Sequence, residues 1–536
     1  MSVRENAAAG MSSGCPRCGA SYELTDAYCG FCGESFKARP EGRGVSAQAT
    51  YVQSPSNLTE AHGPPATSDA TRYLCAAVHR DRRLAEHVVD RVVDEPYKAP
   101  PRSPDVDLVA VVQHALAARR RGRLCDLVLM VFALGVLIAA MIVGLSIEIL
   151  VPASIVLVGG AWVVAYGEQL VVLYGALGQG LRPRRAEVHP PLPRSAGLRR
   201  RLATLAEAER GNVSIYGGYS PFFGSGSERE SWSFALDILR SAEGATAQPF
   251  TADDLHNFVT REVRAVGLAR VSVEDRVFVD GRDLASDSRF VAREPAPPSL
   301  LADPELISRL RAFPEDRVRP YACFHILGWG GQLVCSTYLR FVVTRRHLFA
   351  EATHCILPPI KEKYQEIDRI SSRPTLRQAS QIGGRTLLSA PLRLLAAPFR
   401  LLQFLRRPFV LRSRRAEQSR EIKHERTFNH GAAYSPRQAV ADTNFQRYFQ
   451  QLDFDQYVKI VQDSVFESMV DFLDEHGIDT SRLVERQTTI QNNGVFVSGS
   501  ATVNATNIAA GKKAEAKSST SQKTTSSPAA RVSSAA

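Results

Sequence analysis

LVLMVFALGVLIAAMIVGLSI, from Leu127 to Ile147, runs without a charge, and a single glutamate, Glu148, separates it from a second apolar run, Ile149 to Gly167. At about 1.5 Å of rise per residue the first run makes roughly 30 Å of helix, the thickness of a hydrocarbon core. Soluble helices rarely extend so far without a charged side chain. Pro152 stands near the start of the second run, where a missing amide is tolerated. The link is short enough to force a tight hairpin. These stretches decide the fold class: an α+β membrane protein, with a transmembrane helical hairpin over 124–181. Gly135, Gly144, Gly159 and Gly160 permit close packing of its two helices.

The flanks set the orientation. Arg119, Arg120, Arg121 and Arg123 precede the hairpin, Arg182, Arg184, Arg185, Arg194, Arg199, Arg200 and Arg201 follow it, and the connection carries no cation. The positive-inside rule then places both termini in the cytoplasm of a multi-pass protein of the inner membrane, with Ser146 to Ile149 outside. Trp162 and Tyr166 suit an aromatic belt at the inner face. Because Leu170 to Leu181 stays apolar, the register of the second span is open. Glu168 either lies at the interface, at the depth of Asp126, or is carried inward, where a carboxylate points to ion handling.

The chain of 536 residues has room for two to four folded units. Its net charge of +11 is concentrated in arginine runs beside apolar segments, a distribution that suits an anionic inner leaflet better than a nucleic-acid groove. The opening MSVRENAAAG is polar, so insertion is expected to be directed by the internal hairpin. Of nine cysteines, Cys75, Cys125, Cys323, Cys335 and Cys355 are scattered, which fits a reducing cytoplasm without structural disulfides.

The other four, Cys15, Cys18, Cys29 and Cys32, stand in CPRCG and CGFCG. Each CxxC places two thiolates on one tight turn, and two such turns supply the tetrahedral, all-sulfur shell of a structural Zn2+ site. A closed shell leaves no position for substrate, so the metal is expected to hold residues 12–36 together and to do no catalysis. So short a segment cannot bury a core, and its folding should be coupled to metal binding. The motif resembles the short zinc ribbons of the CPxCG…CxxCG type.

Residues 37–67 read as a flexible linker rich in Pro, Gly, Ser and Ala. Juxtamembrane helices are expected over 68–123, one across Ser68–Val93 with Asp69 as a plausible cap, another from near Asp107. The segment 211–370 is the candidate cytoplasmic α+β domain. Its strands are Val213–Tyr216, Ser231–Leu239, Arg270–Val279 and two within Tyr321–Val343 that bend at Gly328, Gly330 and Gly331. A helix over Thr251–Val266 opens on Thr251 and Asp254, a capping-box variant.

Three chemical candidates arise there. The loop Gly217–Gly226 lacks the lysine and hydroxyl of a phosphate loop and reads as a tight turn between strands. Cys323, His325, Cys335, His354 and Cys355 have the chemistry of metal ligands, against a reading as buried core. Cys323 or Ser336 with His347 or His354 would make a nucleophile and base, without an elbow motif or third member.

Over 385–415, arginine alternates with leucine and phenylalanine and no acidic residue intervenes. Such a basic amphipathic segment, broken into short pieces by Pro391, Pro398 and Pro408, is expected to lie among lipid headgroups. Residues 436–511 read as helices plus a short β segment. The helix, Asn444–Glu475, carries the stripe Phe454, Val458, Val461, Val465, Met469 and Phe472. The β segment, Thr488–Gly511, is loosely similar to amyloid-type signalling motifs of bacterial proteins, against a plain hairpin. A disordered tail is expected over 512–536.

The ribbon, TRYLCAAVH at Thr71–His79, the arginine-flanked hairpin and Tyr321–Val343 together resemble zinc-ribbon membrane proteins of high-GC, actinobacterial-type bacteria. That resemblance implies a membrane protein without an assigned reaction and transfers no catalytic residue. The leading expectation is a membrane-anchored interaction, scaffold or signalling module with the bilayer and a further protein as partners. The alternatives are an enzyme in 211–370 using Cys323, His325 and His354, and an oligomeric pore built on the hairpin. Nucleic acid is not an expected partner, and homo-oligomerisation is open.

Overall fold

The computed structural model describes residues 68–144, 146–182, 195–268, 270–291, 295–371, 373–425 and 427–492, together with two short strands nearer the N-terminus. Those strands, β1 (Ser12–Gly14) and β2 (Ser21–Glu23), pair antiparallel with Gly14 opposite Ser21. Cys15, Cys18, Cys29 and Cys32 lie outside the described residues, as do the 37–67 linker and the 512–536 tail. The chain divides into two units, 1–65 and 66–536. The segments that the sequence separates beyond residue 68 therefore belong to one body.

In that second unit α1 (Asp69–Arg80) is capped by Ser68, whose hydroxyl accepts from the Thr71 amide, while Asp69 turns to pair with Arg72. The expected helix over Ser68–Val93 is interrupted at Asp81, which caps α2 (Arg82–Val88) through the amides of Arg83 and Leu84. A π turn, Val89–Val93, continues α2. Asp107 opens α3 (Leu108–Val143), 36 residues long, which joins the juxtamembrane helix to the first apolar run without a break. Its first half packs Val111, Val112 and Ala115 against Leu74 and Val78 of α1, whereas most apolar side chains beyond Leu124 are exposed. α4 (Ile147–Tyr174) returns beside it with Pro152 inside the helix. Gly144, at φ 113°, ends α3 in a conformation that glycine adopts freely. At Gly160 a Cβ would stand 2.2 Å from the Phe132 ring. The short α5 (Ala176–Gly180) follows, and α6 (Ala196–Arg210) buries Leu202 and Leu205 in the α1–α3 bundle.

The remaining elements in order are β3 (Val213–Tyr216), β4 (Ser227–Asp237), α7 (Ala252–Ala265), β5 (Val271–Asp280), α8 (Pro304–Ala312), β6 (Val318–Gly328), β7 (Leu333–Val343), β8 (His347–Leu357), the short α9 (Glu362–Gln365), α10 (Leu376–Arg420), α11 (Pro436–Val440), α12 (Tyr448–Glu475) and α13 (Ser481–Asn492). The strands form one sheet in the order β3-β5-β6-β7-β8-β4, antiparallel except for β3 with β5. Alternation assigns the faces. Trp232 and Phe234, Phe324 and Ile326, and Cys335 and Leu339 point to one side, under α7 and α12. The α12 stripe Phe454, Val458, Val461, Val465, Met469 and Phe472 is thus sheet core, and the α+β domain does not close at residue 370. Thr251 and Asp254 form the expected capping box on α7.

Three expectations are corrected. Because β3 and β4 occupy opposite edges, Gly217–Gly226 is not a tight turn. It crosses the second face of the sheet, where Phe222 stacks on Tyr338 of β7 at 4.1 Å and meets Phe278 and Tyr321 edge-on. Pro391, Pro398 and Pro408 do not break the basic segment, since all three lie inside the 45-residue α10, on its exposed side. Thr488–Asn492, read as the start of a strand, ends α13; the rest of that β segment lies outside the described residues.

Candidate functional site

The sheet separates the residues that sequence had grouped as chemistry. Cys323 and His325 of β6, Ser336 of β7 and Cys355 of β8 face the crossing loop, whereas Cys335 and His354 face the helices. His347 begins β8 eight residues before Cys355, the cross-strand neighbour of Ser336, which is about 26 Å along a strand. Burial pushes the thiols of Cys323, Cys335 and Cys355 up, so none is a ready thiolate. Among the described residues no group of three or more His, Cys, Asp or Glu could hold a metal ion.

Register does assemble a third member. His325 Nδ1 lies 2.9 Å from Ser336 Oγ, and its Nε2 lies 3.4 Å from Oε1 of Glu274 on β5. Burial holds the His325 imidazole below its ordinary value against the pull of Glu274. Burial would raise the Glu274 carboxyl, but His325, Arg276 and Arg102 bring it down to about 2. A Ser–His–Glu order is present, yet Ser336 is 0% exposed and the loop bearing Phe222 covers that face. A hydroxyl that no substrate reaches is a buried hydrogen-bonding group. His354 is its counterpart on the other face, held by burial at about 4, with Nδ1 on Thr337 Oγ1 at 2.8 Å and Nε2 without a partner among the described residues.

Polar groups converge instead where α10 crosses the hairpin. Arg393 donates to Glu168 at 2.9 Å, and Arg121 of α3 stands 3.6 Å from the same carboxylate. Arg400 reaches Asp126 at 3.4 Å, which Arg82 also holds at 2.5 Å. Arg407 pairs with Asp90 on the π turn and with Asp94 that ends it. These three arginines recur at intervals of seven, the same interval as Ala390 and Ala397, which are 0% and 1% exposed against Leu129 and Ala161. Seven residues make nearly two turns, so arginine and alanine hold one stripe along α10. Trp162 Nε1 donates to the Gly383 carbonyl at 2.9 Å at the head of that stripe.

The opposite face carries Leu388, Leu392, Leu395, Phe399, Leu402, Leu405 and Phe409, all exposed. This reverses part of the expectation for 385–415. Arg393, Arg400 and Arg407 are turned toward carboxylates of the protein, and the large apolar side chains are turned outward. The repeat APLRLL, APFRLL at Ala390–Leu395 and Ala397–Leu402 is the signal that reveals the stripe.

The fold and this seam define the class: an α+β protein whose apolar helical hairpin is braced by a long basic helix. Residues 231–504, just over half of the chain, match the AbeC-like domain, and the protein belongs to that family. The matched stretch begins inside β4 and contains α10; the hairpin and the carboxylates at Asp90, Asp94, Asp126 and Glu168 precede it. No curated protein and no solved structure matches the chain.

Proposed function

We propose that the protein spans the cytoplasmic membrane twice through α3 and α4, keeps both termini in the cytoplasm, and works as an anchored interaction module of scaffold or signalling type. The observation that carries this reading is uncovered apolar surface. Both helices are long and apolar enough to cross a bilayer, yet only 17% and 6% of their most apolar stretches are buried. A core helix of a soluble protein would be mostly covered, and contiguous apolar surface of this extent requires another solvent or a partner. The outward stripe of α10 extends the same surface. Glu168, on which ion conduction would rely, is engaged by Arg121 and Arg393, which weighs against the pore reading.

The N-terminal unit completes the proposal as a zinc ribbon. Cys15, Cys18, Cys29 and Cys32 supply four thiolates, the donor set of structural zinc, and the paired strands β1 and β2 flank the sequence bearing the first two. The test is extraction of native membranes at alkaline pH. The full chain should remain in the pellet, whereas a variant lacking Leu127–Gly167 should be released. Recovery of the full chain as a monodisperse species in detergent-free buffer would overturn the membrane reading. Metal analysis should find about one zinc per chain, lost in Cys29→Ser/Cys32→Ser.

A further inference from the structure

Where α10 leaves the hairpin, a cleft of 1220 Å3 opens between α2 with its π turn, the arginine-rich middle of α3, and α10. Ten arginine and lysine side chains line it against four carboxylates. Arg82 and Arg400 pair with Asp126 and Arg80 with Glu366, outside this lining, and the remaining cations are not matched in full. Arg407 takes Asp90 and Asp94, which leaves the Arg119 side chain without a hydrogen bond among the described residues, its nearest carboxylate oxygens 3.9–4.0 Å away on Glu86, Asp90 and Asp94. Yet Arg119 is 7% exposed. Burial first, then the charges of Arg407 and Arg123, bring its guanidinium down to about 10, and Arg123 is lowered by burial and then by Arg407 and Arg82. Arg83, Arg406 and Arg414 add three cations at the rim that pair with no described side chain. A buried guanidinium without a close partner, beside further unpaired cations, is stabilised by an anion that bidentate guanidinium donors can grip.

The cleft has an apolar wall as well. Phe399, Phe404, Val410 and Leu411 line it, with the Arg123 guanidinium 4.1 Å over the Phe404 ring. Arg123 directly precedes the exposed apolar half of α3. Cations on every side with apolar side chains of α10 among them, at the foot of the hairpin, fit a ligand with a phosphate at one end and a hydrocarbon at the other.

We propose that this cleft is a discrete site for the phosphate headgroup of an anionic phospholipid, whose acyl chains run along Phe399 and Phe404 toward the α3–α4 surface. The proposal rests on the membrane-anchored reading and sharpens it from general leaflet attraction to a stoichiometric site. Lys363 of α9 would receive any second charge of the headgroup.

The test uses the full chain in neutral detergent, titrated with short-chain phosphatidylglycerol, the matched phosphatidylcholine, glycerol 3-phosphate and inorganic phosphate, with thermal stability and native mass spectrometry as readouts. Phosphatidylglycerol should give a saturable upward shift in Tm with one lipid retained per chain, at an affinity at least about tenfold above that of glycerol 3-phosphate. Arg83→Gln/Arg406→Gln/Arg414→Gln should weaken it about tenfold without altering the lipid-free Tm, since these side chains brace no described group. Arg119→Gln should abolish the saturable shift, and because the Arg119 side chain makes no hydrogen bond among the described residues, the lipid-free protein should stay folded. A response to phosphatidylcholine equal to that of phosphatidylglycerol, or undiminished affinity in both variants, would overturn the site. Equal binding of glycerol 3-phosphate and lipid would overturn the lipid assignment in favour of a soluble phosphate ester. Failure here is distinguishable from failure of the membrane reading, because alkaline extraction of the same variants tests anchoring without reference to the cleft.

Discussion

The buried histidines show how far residue identity depends on register. Glu274 lies far from His325 and Ser336 in sequence, and only the β5–β6–β7 pairing brings the three into line. Residue types alone could name His325 and Ser336 as candidates, but their partners and their burial follow from which face each strand turns inward. The same burial makes stability depend on pH. His354 is neutral in the fold, its value depressed from 6.5 to about 4. A depressed histidine leaves stability intact above its unfolded value, and stability falls as pH drops from about 6.5 toward 4, because the unfolded chain takes up a proton that the fold refuses. At pH 5 that amounts to about 2 kcal/mol for one fully buried site. His354→Gln should therefore narrow the gap between denaturant midpoints at pH 7 and pH 5; an unchanged gap would assign the acid sensitivity to other groups. Ser336→Ala is expected to remain folded and to cost about 1 kcal/mol, the net value of one buried hydrogen bond.

At the scale of the element, α10 is the part of the chain that sequence reading rendered least well. Three prolines, each removing an amide and crowding the preceding turn, argue for three short helices. What outweighs them is docking. The alanine stripe lies against Leu129 and Ala161, and each interior arginine finds a carboxylate on another helix. The acids could not be matched to the arginines from sequence, because Glu168, Asp126, Asp90 and Asp94 come from three elements that only the fold places in a row. If docking holds α10 straight, Ala397→Leu should overpack the seam, destabilise the protein by about 1–3 kcal/mol and expose α10 to limited proteolysis. A cycle of Arg393→Gln and Glu168→Gln should show coupling of about 1 kcal/mol, reduced because Arg393 is partly solvated. Strict additivity would mean that the pair merely coexists at the surface. By contrast, α7 was legible to the residue, since its capping box is a local device. The same is true of the β6–β7 turn, where Gly330 and Gly331 take positive φ.

For the molecule as a whole, the hairpin could be read from hydropathy, and the closure of the sheet could not. β8 ends at Leu357, and its covering helix α12 begins only at Tyr448. An amphipathic stripe shows that a helix is covered without naming what covers it. This arrangement changes what removal of the hairpin should do. Without Leu127–Gly167, α10 loses its platform at Leu129 and Ala161 while its outward row from Leu388 to Phe409 persists. Such a protein should no longer be integral, but it should remain a peripheral binder. It should float with vesicles containing anionic lipid at low salt, leave them at alkaline pH, and dissociate as ionic strength screens its charges. Adding Leu392→Ser, Leu395→Ser and Phe399→Ser should then abolish flotation, because charge alone gives weak, salt-sensitive attachment once apolar insertion is lost. Survival of the hairpin deletion through alkaline extraction would make α10, rather than α3 and α4, the anchor.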